Sequence, residues 1–370
     1  MRWITLLLLL ACWLPAPPAL TQAPTPAAGD KVDYAAVTPG RGLHFPADFG
    51  AHPEHRTEWW YVTGWLDTPD QVRLGFQVTF FRSRTGHAPG NPSRFAPHQL
   101  IIAHAALSDP RVGKLLHDQK SARAGFGLAY AKQGNTDVRL ENWSLVRDAS
   151  GRYAARVPGR DFQLELDFEP TQPLLVQGEA GFSRKGPRPE QASYYYSEPH
   201  LKVSGTISGK FGRQGQPVRV QGQAWLDHEW SSTVLDEHAS GWDWVGANLD
   251  DGSALMMFRI RAKNGAQIWA HATLRDARGR IRHFPPSQVS YLPERSWRSP
   301  RTGATYPVAG TFTTGELRWR LLPLQDDQEL DSRLSTGAVY WEGAVTLEKD
   351  GKPAGRGYLE LTGYQKALKL

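Results

Sequence analysis

The chain has little that would let disulfides, helices or familiar catalytic loops organise it. Of its 370 residues only Cys12 is a cysteine, so the folded part holds no disulfide and its stability must come from core size. Lys and Arg are scattered without a basic run, so a net charge of +6 offers nucleic acid no footprint. No window sustains an amphipathic helical period, and beyond the N-terminus no apolar run is long enough to cross a bilayer. A nucleophile elbow, a P-loop, a dinucleotide fingerprint and a zinc-hydrolase helix are all missing, and Gly125-Phe126-Gly127 is too short for a phosphate cradle. Serine-hydrolase and nucleotide chemistry therefore find no support, and neither a cofactor nor a metal is expected.

The N-terminus reads as an address. Met1-Arg2 is a short basic start, Ile4 to Leu10 is apolar, and Pro, Ala and Thr then dominate to Gly29. Residues 1–42 are expected to be a secretory signal and a disordered linker. Cys12 follows Leu9-Leu10-Ala11, close to a bacterial lipobox. Two fates stay open: lipid attachment at Cys12, or its loss with a cleaved signal. Either places the protein outside the cytoplasm, in the periplasm or on a membrane of a Gram-negative-type envelope.

What the chain has in plenty is Trp (14), Gly (36) and Pro (27), a mixture typical of short strands and tight turns. It also repeats itself. Trp59-Trp60-Tyr61-Val62-Thr63-Gly64-Trp65-Leu66-Asp67 aligns without a gap on Trp242-Asp243-Trp244-Val245-Gly246-Ala247-Asn248-Leu249-Asp250. Ile101 to Asp109 aligns on Ile268 to Asp276 with six of nine residues identical. A third pairing sets Gly222–Asp227 against Gly357–Thr362. The first copy carries an inserted loop, Ser83 to His98. Period-two alternation, as in Phe162-Gln163-Leu164-Glu165-Leu166-Asp167-Phe168, marks strands, and Asp251-Gly252 and Asn264-Gly265 mark turns. The expected fold is all-β: two tandem lipocalin-like antiparallel β-barrels related by duplication, residues 43–230 and 231–370. Closure is favoured because it removes exposed edges.

The candidate chemistry concentrates in Asp227-His228-Glu229-Trp230. Acid-catalysed addition to an alkene needs a desolvated carboxylic acid to protonate carbon, and Trp faces can stabilise the resulting cation. Along a strand Asp227 and Glu229 point one way and His228 and Trp230 the other, so His228 with Trp230 could line the cavity while the carboxylates face out, or the reverse, and Leu226 beside the second pair favours the first arrangement. Asp243 is a further acid. The bland reading is that this run docks one barrel on the other through hydrogen bonds. His52-Pro53-Glu54-His55-Arg56-Thr57-Glu58 gathers charge ahead of the first strand. A metal there would draw on His52 and His55 with His228 or Glu58, but the spacing matches no standard signature. An ion pair of Arg56 with Glu58, Glu229 or Asp243, plugging a barrel end, is the plainer expectation. His104 and His271 occupy equivalent places and suggest a shared structural task, or a proton carrier if one faces a cavity. Trp59, Tyr61, Trp65, Trp242 and Trp244 should wall an apolar pocket in each barrel, with Tyr195 near the joint, and bind a hydrophobic ligand.

Phe45-Pro46-Ala47-Asp48-Phe49-Gly50-Ala51-His52-Pro53-Glu54-His55-Arg56-Thr57-Glu58-Trp59-Trp60-Tyr61 resembles the opening signature of the AttH-like family. So do Leu74 to Arg82, Trp225 to Trp230, Gly241 to Trp244, Tyr340 to Gly343 and Gly357 to Tyr364. That family takes in the carotenoid 1,2-hydratases, once called hydroxyneurosporene synthases. The resemblance covers about residues 43–366 and implies two lipocalin-like domains. Members of the family include hydratases that add water to acyclic carotenoids, exported proteins linked with ABC export systems, and some labelled hydrolases; relatives of the fold catalyse cycloadditions. The hydratases are expected to use a His-x-Trp pair and a Tyr-x-Asp pair. His228-Glu229-Trp230 matches the first, whereas Met257-Phe258-Arg259-Ile260-Arg261 departs from the second.

Two functions remain open on this reading. The main one is an exported protein binding a lipid or isoprenoid-like ligand, with an ABC permease as partner. The other is a hydro-lyase acting on a hydrophobic alkene, with His228 relaying a proton, Asp227, Glu229 or Asp243 as acid, and Trp230 and Trp242 steadying the cation.

Overall fold

The structure is a computed structural model that describes residues 32–86, 91–209, 215–233 and 235–368. The expected export signal and Cys12 lie outside the described residues. No helix among the described residues is long and apolar enough to cross a membrane. The chain forms two antiparallel sheets, of thirteen and ten strands. In the first, Thr57–Asp67 starts a meander through Arg73–Arg84, Gln99–Ser108 and Leu115–Arg123, and its free side is taken by Val218–Thr233, the last strand of the set. In the second, Ala239–Leu249 leads through Ala254–Ala262, Gln267–Arg275 and Ile281–Phe284, and its free side is taken by Lys352–Leu361. The strand order is thus the same twice, which gives the internal repeat its structural meaning.

Register tightens the correspondence. Leu66 faces Gly222, and its equivalent Leu249 faces Gly355. A Cβ on Gly222 would overlap the carbonyl oxygen of Trp65, and one on Gly355 that of Asn248, which is Trp65's equivalent. Both positions need glycine for the same close approach. Gly222 therefore corresponds to Gly355, two residues earlier than the expected Gly357, and Asp227 corresponds to Glu360.

The first sheet curls until it is nearly a barrel. Lys120, on its end strand, reaches Glu141 and Asn142 at 2.6 and 2.8 Å from the other end of the sheet. The interior is packed solid by Trp60, Val62, Phe76, Val78, Leu164, Leu226 and their neighbours. The expectation of a second closed barrel is corrected. In the second sheet the end strands Ile281–Phe284 and Val289–Arg298 are not paired with each other. Val289–Arg298 carries Pro293, which has no N–H to donate, and register shifts on either side of Arg295. Both features blunt an edge against further pairing.

Strand alternation sends Trp60, Val62 and Leu66 into the first interior and Trp59, Tyr61 and Trp65 out of it. The second sheet likewise turns Trp242, Trp244, Met256, Phe258 and Ile260 outward, and the two outward faces meet in one apolar cluster. Each Å² of apolar area buried in this ring-rich contact favours the docking of the two units by about 25 cal/mol. Polar bonds add direction: Trp65 Nε1 donates to Gly357 O at 3.0 Å, Asn248 Nδ2 to Ala224 O at 3.0 Å, and Ser108 Oγ to Gln328 Oε1 at 2.7 Å.

Candidate active site between the two sheets

Docking leaves a cavity of about 100 Å³ between the two outward faces, within about 800 Å³ of empty space that runs out to solvent. Trp59 and Tyr61 enter from the first strand of one repeat, Trp242 and Trp244 from the first strand of the other. Asp227 and Glu229 come from Val218–Thr233, Glu360 from Lys352–Leu361, and Tyr340 and Glu342 from Ala338–Lys349. Because the sheets are repeats, Asp227 and Glu360 face each other's domain as equivalents. Tyr61 pairs with Asp227 as Trp244 pairs with Glu360.

The carboxyls differ in their surroundings. Asp227 accepts from Tyr195 Oη at 2.5 Å, Ser197 Oγ at 2.6 Å and Trp225 Nε1 at 2.6 Å. Burial nonetheless pushes it up to about 7, outweighing those donors, with Glu229 adding repulsion. Glu229 is held by Lys185 at 2.9 Å, and both are buried. Glu360 accepts from Trp242 Nε1 at 2.9 Å, and desolvation pushes it up to about 7. Glu342 sits directly opposite Glu360 on the neighbouring strand and is 1 % exposed. Neither of its oxygens makes a hydrogen bond of normal geometry. Burial, with Glu360 next to it, raises Glu342 well above the carboxylate range, and the nearby hydroxyls of Tyr61 and Tyr340 offset only part of that. Two carboxyls so placed cannot both ionise, so the pair holds a proton at neutral pH.

On the other side of the same strand, His228 and Trp230 face the first interior. His228 Nε2 lies 2.9 Å from Glu58 Oε1 and its Nδ1 3.1 Å from Tyr196 Oη. His52 Nδ1 lies 2.7 Å from Glu58 Oε1 and its Nε2 3.1 Å from Asp48. Arg82 Nε and the His52 backbone N–H complete Glu58 at 2.7 and 2.9 Å. Trp230 stacks on His52, ring centroids 3.7 Å apart. Ligand atoms of His52, Glu58 and His228 lie within 4.8 Å of one another, a spacing that suits a metal. Without an ion these three atoms satisfy one another, Glu58 Oε1 meeting a nitrogen of each ring, while Arg82, Tyr196 and Asp48 take the remaining oxygen and nitrogens. These bonds form a plug inside the first sheet and tie the strand carrying Asp227 and Glu229 to Thr57–Asp67 and to the segment before it.

A family model described as AttH-like matches residues 36–364. The chain belongs to the AttH-like family. A crystal structure assigned to AttH of Nitrosomonas europaea is 63% identical, covers 89% of this chain and 99% of its own, and superposes with a TM-score of 0.84. Kievitone hydratase from Nectria haematococca shares the fold at 13% identity, with 91% and 98% of the two chains covered and a TM-score of 0.68. An acyclic carotenoid 1,2-hydratase of Rubrivivax gelatinosus is 33% identical over 91 residues, 24% of this chain. The match spans 22% of that relative's length.

Within this AttH-like chain the residues singled out by sequence divide among several places. Trp59, Tyr61, Asp227, Glu229, Trp242 and Trp244 line the interdomain cavity. Tyr195 stands behind it, bonded to Asp227 and to Trp244 Nε1 at 3.1 Å. Trp65 lines a separate polar cleft with Trp225, Asn248 and Arg356. Asp243 lies inside the second sheet, clamped by Arg259, Arg261 and Tyr364 at 2.5, 2.8 and 2.9 Å. The expected pocket inside each barrel is corrected to one cavity between them, because the aromatic residues lie on the outer faces. The expected pairing of Arg56 is corrected too: Arg82 sits on Glu58, Lys185 on Glu229, and Arg259 with Arg261 on Asp243. His104 and His271, equivalent in sequence, have different partners. His104 is buried and bridges the domains through Tyr340 Oη at 2.7 Å and Ser335 Oγ at 2.9 Å, whereas half-buried His271 meets Thr273 Oγ1 at 3.2 Å. Burial lowers both rings to about 3, so both stay neutral. Sequence reasoning missed Glu342, Glu360, Tyr340 and Lys185. Glu360 takes the place of Asp227 only once the sequence pairing is shifted by two residues, and the strand register supplied that shift.

Proposed function

We propose that the interdomain cavity is the active site of a hydro-lyase that adds water to a hydrophobic alkene. The observation that carries this is Glu342, a buried and unpaired carboxyl opposite Glu360 among aromatic rings. Its proton goes to an alkene carbon, so the π electrons form the new C–H bond and leave a cation on the neighbouring carbon. The faces of Trp242, Trp244 and Trp59 stabilise that cation. Water then attacks it, the Glu360–Glu342 pair takes the proton that water sheds, and the alcohol leaves with the pair restored. Asp227, tied down by three donors, keeps Tyr195 and Trp244 in place, and the His228 plug keeps the strand rigid. The carotenoid hydratase relative supports the reaction class, while the missing Tyr-x-Asp pair argues for a different acid.

Carriage of a hydrophobic ligand is the second reading, and it requires the aromatic walls without the carboxyl pair. Export to the envelope, with an ABC permease as client, goes with either. The test is to incubate the purified protein with acyclic terpenes bearing terminal double bonds in oxygen-labelled water. A labelled tertiary alcohol is expected, absent with Glu342→Gln although tryptophan fluorescence still reports occupancy. Occupancy without product in the unaltered protein would overturn hydration and leave carriage.

A further inference from the structure

The cavity is rich in carboxyls. Four carboxyls, Asp227, Glu229, Glu342 and Glu360, face it against a single ammonium, Lys185. Lys185 is itself held as a bound cation is held. Its Nζ lies 4.2 Å from the Phe258 ring centroid, 4.6 Å from that of Tyr195 and 2.9 Å from Glu229. Glu342 lacks such a partner. Its oxygens are buried and make no hydrogen bond of normal geometry, with only the hydroxyls of Tyr61 and Tyr340 beside them, so a cation arriving there displaces no existing ion pair. An uncompensated carboxyl in an aromatic enclosure is recognition chemistry for ammonium groups.

We propose that this cavity binds organic cations, an ammonium or quaternary ammonium head carrying an apolar tail. The head lies against the Glu342–Glu360 pair and the tail along Trp59 and Tyr61. The inference rests on reading the cavity as the functional site, since such a head imitates the cation formed during hydration. The only bond that changes is a carboxyl O–H: the head takes over the charge balance of the pair, and the proton that the pair held goes to the buffer. The groups facing the pair are the hydroxyls of Tyr61, Tyr340 and Tyr358, the carboxyls of Asp227 and Glu229, and the indole N–H of Trp242. None of them is a cation that would compete.

The experiment is titration calorimetry of the full chain with decyltrimethylammonium and, in parallel, with 1-decanol, in buffers of different ionisation enthalpy. The cation should bind about tenfold more tightly than the alcohol and release about one proton. Glu342→Gln and Glu360→Gln, each checked for folding by near-UV circular dichroism, should each lose both the preference and the proton release. Equal affinities, or cation binding without a proton, would overturn the inference. Binding of the alcohol alone would sink the cation site and leave the hydration reading standing; binding of neither probe would remove both. Should one variant fail to fold, the unaltered protein's proton release and the other variant still decide.

Discussion

Replacing Asp227 by Asn should change how stability depends on pH by an amount the structure supplies. Asp227 is 3 % exposed and its acid form is favoured up to about 7, against 3.8 in the unfolded chain. The folded protein therefore holds this proton more tightly than the unfolded chain does. The group's contribution is full below pH 3.8 and is lost as the pH rises to about 7. At ~1.4 kcal/mol per unit the whole window is worth about 4 kcal/mol, of which about 2–3 kcal/mol falls between about pH 5 and about pH 8. Asn does not titrate. Seating an amide among the donors of Tyr195, Ser197 and Trp225 has a cost of its own, but that cost is the same at every pH and cancels in the comparison. Removing the charge also relieves Glu360, whose acid form Asp227 favours, so the second effect has the same sign. Urea unfolding followed by tryptophan fluorescence, across that pH range, gives the quantity directly. Relative to the unaltered protein, the variant should gain about 2–3 kcal/mol on going from the lower pH to the higher. Parallel profiles would refute the reasoning, because they would mean that the three donors keep Asp227 ionised in the folded state.

Two further perturbations test the frame around the cavity. Arg82→Met leaves Glu58 buried beside His52 and His228 without its guanidinium, and should cost about 3–5 kcal/mol in urea unfolding at neutral pH. Gly222→Ala drives a Cβ into the Trp65 carbonyl, where only backbone can give way. It should cost upward of about 2 kcal/mol and lower the melting temperature, while Lys202→Ala on the neighbouring strand, being exposed, should change stability by less than about 0.5 kcal/mol.

Much of this architecture was legible in the residues because it is local. Alternation marks strands, Asp-Gly and Asn-Gly mark turns, and an ungapped match from Trp59 to Asp67 with Trp242 to Asp250 survives because each copy must bury one face of the same strand. The same pattern correctly separates Asp227 and Glu229 from His228 and Trp230. What alternation cannot do is name the face that meets a cavity. Both faces of Thr57–Asp67 are apolar, Trp60 and Val62 on one and Tyr61 and Trp65 on the other, since one lines a packed interior and the other a domain interface.

By itself, then, the sequence determined the strand pattern, the duplication, the solitary cysteine and the clustering of indoles with carboxylates. Only the tertiary structure decided that the first sheet nearly closes, that the second stays open at Val289–Arg298, and that the two outer faces enclose the cavity. It alone set Glu342 opposite Glu360, and both beneath Asp227 of the other repeat. The reason is physical: a carboxyl's acidity depends on the water and charge around it, and although Glu360 meets Glu342 across one hairpin, Tyr61 and Asp227 come from more than a hundred residues away and are brought there by docking.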